Sequence, residues 1–343
     1  MKIVKIARIP SDEAGPLIRR LMSEGKVDIH AKISKEGGFR LVPILPEHVP
    51  EVEAMGYEIG EGEAYTLDRR SPQERIAHEL EDLPVRDILP DRWEFVGDIA
   101  ILKLDPRCEP YLDRIGDAYA KVLGTATVCA DLHGVSGEFR RPSMKVIHGT
   151  ETESVRLENG IRYRFDVTKV MFASGNTDER MRMRRLDCTG ETVVDMFAGI
   201  GYFTLPLAKF SNPRRVFACE KNPDSYRYLV ANIRGNDVDR TVVPILGDNR
   251  DIPGRDFADR ILMGYVQTTS EFVPAALRMI REGGVIHYHD TFYVGEQRKK
   301  VDEVFGPLCE YEILGIREVK SFAPSVSHYV ADIRILSRSP RSP

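Results

Sequence analysis

The stretch 191–203, Glu-Thr-Val-Val-Asp-Met-Phe-Ala-Gly-Ile-Gly-Tyr-Phe, leaves this chain the fewest options. Thr192, Val193 and Val194 form a short β-branched run, the mark of a strand buried on both faces of a parallel sheet. Asp195 closes the run, Gly199 and Gly201 allow a tight turn with close backbone approach to a ligand, and a helix is expected from Tyr202 onward. Strand, glycine turn and helix N-terminus together form a nucleotide pocket at the carboxyl edge of a parallel sheet. A dinucleotide fingerprint wants a third glycine near Thr204, and it is missing. A turn that merely packs helix on strand is the competing reading, which the later strands decide.

From about residue 168 strands and helices alternate. Strands are expected at 192–196, 215–220, 241–246, 260–263 and 285–288, followed by a helix over 296–305 and two strands at 312–321 and 328–336. Tyr226, Leu229, Val230 and Ile233 lie on one helical stripe, the spacing of a core-facing helix. Such alternation implies a parallel sheet covered on both sides, and the last two strands suit a reversed hairpin at one edge. The expected fold class is therefore α/β, a Rossmann-like seven-stranded sheet over 168–337, ahead of a polar tail at 338–343.

Two smaller pieces precede it. Residues 1–67 hold strands at 2–9 and 39–45 with an amphipathic helix at 14–22, and read as an accessory domain. After a polar linker at 68–72, Ser71 caps a helix over 72–80 with Pro72 in its first turn. A strong strand at 93–104, a helix at 110–123, strands at 126–130, 137–141 and 145–147, and a hairpin through Asn159-Gly160 into 161–166 make 71–167 an α+β domain.

Ligands in open α/β sheets sit beyond the carboxyl ends of the strands. An acidic residue closing the first strand, here Asp195, is the habit of class I AdoMet-dependent transferases, whose turn admits an amino-acid tail and a sulfonium in place of a pyrophosphate. Glu220 ends the second strand; its carboxylate can accept from both ribose hydroxyls, or can serve only as a favourable charge at a helix N-terminus. Asp248 can accept from an adenine amino group and the Asn249 N–H can donate to a ring nitrogen, although Gly-Asp-Asn is also turn chemistry. His287, His289 and Asp290 invite a metal reading, but no third ligand cluster is visible and a hydrogen-bonded structural role is favoured. Arg180, Arg182, Arg184 and Arg185 form a basic cluster able to bind phosphate or carboxylate, or to be a solvated helix face.

The remaining composition limits where and how such a chain works. No apolar run approaches the roughly 18 residues of a membrane helix, and the alternating N-terminus lacks the apolar core of a signal peptide. Five scattered cysteines with no Cys-x-x-Cys pair argue against a disulfide framework or zinc site and for a cytoplasmic location. A net charge of -4 does not advertise nucleic-acid binding, yet binding depends on where the basic residues lie.

Phe172-Ala-Ser-Gly-Asn-Thr-Asp-Glu-Arg180, Asp195 to Phe203, Glu220-Lys-Asn-Pro223, Gly247-Asp-Asn-Arg250 and the run 284–287 resemble two sister families. These are the tRNA position-37 guanosine N1-methyltransferases and the wybutosine-synthesising aminocarboxypropyl transferases. Runs at 97–103 and 165–169 fit both, so the resemblance spans about 71–336. Two departures separate them. The N1-methyltransferases show Ser-Pro-Arg-Leu where Ala173-Ser174-Gly175-Asn176 stands, and Asn-Leu-Pro where Gly264-Tyr265-Val266 stands. Removing the guanosine N1 proton benefits from a base and from stabilising charge on O6, and both expected polar groups are absent, so the chain is closer to the aminocarboxypropyl transferases.

The sulfonium of AdoMet carries three carbons, and a nucleophile takes the one the site points at it. The resemblance implies transfer of the 3-amino-3-carboxypropyl group to carbon 7 of 4-demethylwyosine at position 37 of phenylalanine tRNA. N1-methylation of guanosine 37 is the alternative, and a non-catalytic RNA-binding subunit is disfavoured by the intact Asp195, Gly199, Gly201 and Glu220. Cofactor contacts are expected from Ala173, Arg180, Asp195, Phe197, Gly199, Glu220, Asp248 and Asn249, with Arg180 holding the methionyl carboxylate. Asn176, Gly264 and Tyr265 are expected to line the substrate pocket, Gly175 and Gly264 making room for a different tail position and Tyr265 stacking on the flipped base. Arg140, Arg141, Lys145, Arg162 and Arg164 are candidates for phosphate contact, and no metal is expected.

Overall fold

The structure, a computed structural model, describes all residues except Glu138, Phe139, Gln267 and 339–343. Most of the expected tail at 338–343 lies outside the described residues. Contacts divide the chain into two units, Met1–Glu79 and Leu80–Pro343.

In the first unit four antiparallel strands lie in the spatial order Ser34–Glu36, Phe39–Ile44, Lys2–Pro10, Glu58–Ala64. Helix Ala14–Ser23 covers one face, burying Ala14 and Leu21 in a core with Ala7, Ile9, Val42 and Ile44. Strands 34–36 and 58–64 were not expected, since neither carries an apolar alternation. Ser71 does cap helix Pro72–Glu79: its Oγ accepts from the Glu74 N–H at 3.2 Å while Glu74 Oε2 accepts from the Ser71 N–H at 2.6 Å. That is a reciprocal capping box.

The second unit is built on a seven-stranded sheet. Its strands are β1 (Thr192–Asp195), β2 (Arg215–Glu220), β3 (Val242–Leu246), β4 (Ala258–Met263), β5 (Ile280–Tyr293), β6 (Glu310–Ala323) and β7 (Val326–Ser337). Their spatial order is β3-β2-β1-β4-β5-β7-β6. The first five pair in parallel, while β7 runs antiparallel between β5 and β6, the reversed hairpin expected at that edge. Alternate residues of β1 bury on opposite faces: Val193 joins the core with Leu205, Leu229 and Ile233, and Val194 the core with Ile261, Ile286 and Ile333. Strand order reverses between β1 and β4, and at such a switch point a crevice opens beyond the strand ends.

A second, four-stranded sheet runs Glu94–Val96, Ile99–Lys103, Thr127–Ser136, Arg141–His148. Helix Leu112–Leu123 forms the crossover that makes its two inner strands parallel. The strand expected at 137–141 is corrected: Glu138 and Phe139 lie outside the described residues, Gly137 and Arg140 have positive φ in a turn, and the strand starts at Arg141. Hairpin Glu153–Glu158/Ile161–Asp166 turns at Asn159 and Gly160, both left-handed, as the Asn-Gly pair requires.

The division expected at residue 167 does not separate two cores. Ile99, Cys129 and Tyr163 share one buried cluster with Val193 and Leu229 of the large sheet's face. Asn232 of helix Pro223–Gly235 and Asn236, which caps the helix's C-terminus, lock the hairpin in place. Asn232 Oδ1 accepts from the Arg164 N–H at 2.8 Å and Asn236 Oδ1 from the Arg162 N–H at 2.9 Å, while their amides donate to the carbonyls of the same two residues. The side chains thereby satisfy the hairpin's outer edge as a neighbouring strand would.

Candidate active site

At the carboxyl ends of β1–β5 lies a cavity of about 430 Å3, a size that suits a nucleoside-bearing ligand. The glycine turn forms its floor. Gly199, at φ 56°, donates its N–H to Glu220 Oε2 at 2.8 Å, and Asn222 donates its N–H to Glu220 Oε1 at 2.7 Å. Burial raises the Glu220 pKa. Each carboxylate oxygen has a second acceptor position, so the pair of oxygens facing the cavity can still take two hydroxyls.

Asp195 departs from the expectation of a cofactor contact. It is fully buried, does not line the cavity, and serves as a staple: Oδ2 accepts from Thr204 Oγ1 at 2.7 Å and Oδ1 from the Phe197 N–H at 3.2 Å. It fixes the turn to the helix that follows. Burial pushes its carboxyl up to about 6, against these hydrogen bonds.

Over β2 and β3 the cavity is walled by Glu220, Asp248 and Asn249. Asp248 is gripped by Arg250, Nε at 2.8 Å and Nη2 at 2.6 Å, which holds it well below the usual carboxylate range. Its acceptor capacity is largely taken, a correction to its expected service to adenine. Asn249 offers more: its amide donates to the Met196 carbonyl at 2.8 Å, and its Oδ1 is buried without a protein partner. Phe197 stacks on Tyr265 at 5.2 Å and meets Phe272 edge-on at 5.0 Å, giving the middle of the cavity an aromatic wall. Tyr265 thus lines the cavity with one ring face already covered.

The other end lies over β4, β5 and the β6–β7 hairpin. Ala173, Asn176, Gly264, Lys320 and His328 line it. The segment leading to Ala173 is held by Phe172, which stacks on Phe165 and meets Tyr163 and Tyr202 edge-on, and Ser174 Oγ donates to Glu94 Oε1 at 2.9 Å. Asn176 Oδ1 is buried with no protein partner.

Arg180 lines the cavity but is not a spare cation. Its Nε donates to Glu158 Oε1 at 2.5 Å and Nη2 to Oε2 at 3.0 Å, while Nη1 donates to the Ala173 carbonyl at 2.8 Å. Its charge is neutralised and its geometry spent on positioning the 173–176 turn, so the expected carboxylate contact is corrected to a bracing role. Lys320 and Arg140, which the sequence reading did not place here, supply positive charge instead. Lys320 makes no ion pair among the described residues, and burial, with Arg140 and Arg180 nearby, lowers its pKa. Of the other basic-cluster members, Arg182 pairs with Glu179 and Asp332, and Arg184 donates to the Asn159 carbonyl and stacks on Phe210.

The two glycines do not leave open room for the ligand. A Cβ on Gly264 would lie 2.7 Å from Phe203 Cε2, and one on Gly175 3.2 Å from Lys320 Cδ. Protein side chains take the space: Phe203 lies against Gly264, and Lys320 beside the 173–176 turn. His287 bonds Asp332 at 2.5 Å and Arg260 at 2.8 Å, and His289 bonds His328 at 3.0 Å, so both histidines sit in hydrogen-bonded networks. No cluster of three metal-ligating side chains occurs among the described residues. No described helix is long and apolar enough to cross a membrane.

Comparison with known proteins bears directly on this site. A family model described as the TRM5/TYW2 methyltransferase domain matches residues 154–313, and a TYW2 N-terminal domain model matches 74–152. The chain is 41% identical over 268 residues to a Pyrococcus horikoshii protein named tRNA(Phe) (4-demethylwyosine(37)-C(7)) aminocarboxypropyltransferase, covering 77% of this chain and 95% of that one. It is 35% identical to a Pyrococcus abyssi tRNA (guanine(37)-N(1))-methyltransferase, Trm5b, over 96% of this chain and 98% of the other. Among solved structures, P. horikoshii TYW2 in complex with MeSAdo superposes with a TM-score of 0.67 at 39% identity, covering 78% of this chain and 100% of that one. A complex of aTrm5 and tRNALeu superposes at 0.81 with 26% identity, covering 96% and 99%.

Proposed function

The chain belongs to the TRM5/TYW2 methyltransferase family, and on that premise we propose that it transfers the 3-amino-3-carboxypropyl group of AdoMet to carbon 7 of 4-demethylwyosine at position 37 of tRNA(Phe), releasing methylthioadenosine. AdoMet supplies an electrophilic carbon next to a sulfonium leaving group. The residues present fit it. Glu220 keeps acceptor capacity for ribose hydroxyls, and Asn249 Oδ1 is an unfilled buried acceptor for an adenine amino group.

The observation that carries the choice of group is the cavity end over the β6–β7 hairpin. Where the N1-methyltransferases place an arginine and an Asn-Leu-Pro, this chain has Gly175 and Gly264, with Lys320 and Phe203 against them. The arginine and the Asn-Leu-Pro of the N1-methyltransferases are thus both replaced at this end. What is there suits a zwitterion: Lys320 offers an unpaired ammonium for a carboxylate, and Asn176 Oδ1 an unfilled acceptor for an amine. These two residues take the tail-holding role in place of Arg180.

The tRNA side of the reading is a positioning argument. Arg140, Arg141, Lys145, Arg162 and Arg164 contact backbone phosphates of the anticodon arm, and the target base leaves its stack to reach the cavity. One observation favours the sister reaction: the Trm5b relative spans the first unit, whereas the P. horikoshii aminocarboxypropyl transferase covers 77% of this chain. The test is product identity. With AdoMet labelled in the carboxyl carbon, label enters tRNA and methylthioadenosine accumulates in equal amount; entry of methyl label overturns the proposal.

A further inference from the structure

Attack of carbon 7 on the γ-carbon forms a C–C bond and breaks the S–C bond, the electron pair returning to sulfur. Carbon 7 then carries both its hydrogen and the new substituent, and the ring regains its conjugation only by losing that hydrogen as a proton. The transfer therefore needs a base at the acceptor end of the cavity, and this inference rests on the function proposed above.

We propose that His328 takes this proton and passes charge to His289, whose imidazolium is paired with the buried carboxylate of Glu179. His328 opens β7 at the cavity edge, with its Nε2 3.0 Å from His289 Nδ1. Its Nε2 is thus occupied, leaving Nδ1 as the nitrogen available toward the cavity. His289, on the neighbouring β5, is 1% exposed, and its Nε2 has no hydrogen-bond partner. That orphan nitrogen lies 3.5 Å from Oε1 of Glu179, itself 3% exposed on helix Thr177–Arg185. Carboxylate, imidazole and imidazole thus line up from the sheet's interior to the cavity. The Phe203 ring, which Gly264 admits, stacks on His289 at 5.3 Å and fixes its plane.

The proton count closes. In the resting state His328 holds its proton on Nε2 and His289 on its own Nε2, toward Glu179. The proton from carbon 7 arrives on His328 Nδ1, the Nε2 proton of His328 moves to His289 Nδ1, and Glu179 stays ionised throughout. After product release the proton returns through His328 to water. A ring carbon bearing both substituents is strongly acidic, so a weak base suffices. Burial, with Lys320 and Arg140 facing it, lowers the His328 pKa to about 4 and keeps it neutral and receptive. Burial, together with His328, Arg182 and His287, holds the His289 pKa well below the usual imidazole value, with Asp332 opposing them, so His289 carries the charge only in passing. Around Glu179 stand Arg182 and Arg317.

The test uses the full chain with tRNA carrying 4-demethylwyosine, deuterated or not at carbon 7. H328A is expected to lower transfer at least 100-fold, to bind AdoMet within threefold of wild type, and to show a primary isotope effect above about 2 that wild type lacks. Imidazole added to H328A restores at least a tenth of the lost rate. Independently of turnover, 15N NMR of the free protein at pH 7 shows His328 neutral with its proton on Nε2, and H289F abolishes that hydrogen-bond signature. H328A within fivefold of wild type, the absence of an isotope effect, or a resting proton on His328 Nδ1 overturns the relay while leaving the proposed function intact. A wild-type protein that transfers no carboxyl label overturns the function and the relay together.

Discussion

Gly264→Ala gives a sharp test of how the acceptor end is built. The new Cβ would lie 2.7 Å from Phe203 Cε2 and 3.0 Å from Cδ2. Carbon atoms pack best at about 3.5–4.0 Å, so the Phe203 ring has to retreat by roughly 1 Å. It has little freedom to do so, being 5% exposed and stacked on His289. Overpacking of this kind costs about 1–3 kcal/mol, and a misplacement of about 1 Å at a reacting centre costs about 100-fold in rate. The adenosine end, with Glu220 and Asn249, is untouched. Calorimetric titration should then find AdoMet affinity within about threefold of wild type, while transfer of carboxyl-labelled AdoMet to tRNA falls 30- to 300-fold and thermal unfolding drops by a few degrees. Turnover within twofold of wild type at an unchanged Tm would refute the claim that Phe203, admitted by this glycine, shapes the site.

Four further outcomes follow from the geometry. Glu220→Gln should weaken AdoMet binding about 10- to 100-fold, the loss of charge-assisted bonds worth about 1.5–3 kcal/mol; because burial raises the wild-type pKa, wild-type affinity should also fall as pH drops through that raised value while the variant's stays flat. Asp195 is a group whose folded pKa, about 6, lies above the usual aspartate value of 3.8, so its contribution to stability is complete below about pH 4 and is lost as pH rises toward 6. Asp195→Asn keeps the Phe197 N–H bond at its oxygen and can donate its amide to the Thr204 hydroxyl, reversing that bond, so urea unfolding should find it about 1–3 kcal/mol more stable than wild type at pH 7.5, the gap closing near pH 4; a variant less stable at pH 7.5 contradicts this. Asn232→Ala strands the Arg164 N–H and the carbonyls of Arg164 and Ile200 at the hairpin edge, for a loss of about 3 kcal/mol and a clearly lower Tm; a Tm within one degree of wild type counts against the asparagine clamp. If the basic residues of the 141–166 segment contact phosphates, the slope of log K for tRNA against log salt should be steeper than about -3, and a flat dependence removes them from the interface.

Local chemistry made the catalytic sheet legible. A β-branched run, a closing acid and a glycine turn specify one strand and its helix, and Glu220 and Asn249 could be placed at the cavity because Glu220 ends one parallel strand and Asn249 follows another. The acceptor end was harder to read. Lys320 and His328 reach it only through the register of the β6–β7 hairpin, which inserts β7 beside β5, and no local pattern encodes that pairing. Arg180 looked like a carboxylate holder because its partner, Glu158, is 22 residues away on a hairpin tip. Asp195 looked like a ligand contact because sequence cannot show that Thr204 turns it inward. The strand at 58–64 was invisible for a different reason: its Glu-Gly repeats show no apolar period, and it is held by backbone pairing with residues 2–8.

The account stands on which arm of the sulfonium the cavity presents to the RNA base. A crystal structure of the full chain with AdoMet bound measures this directly. We expect the γ-carbon to face the space between Gly264 and His328, with the carboxylate near Lys320 and the methyl turned away. A methyl group pointing into that space, with the amino-acid tail directed elsewhere, would contradict it.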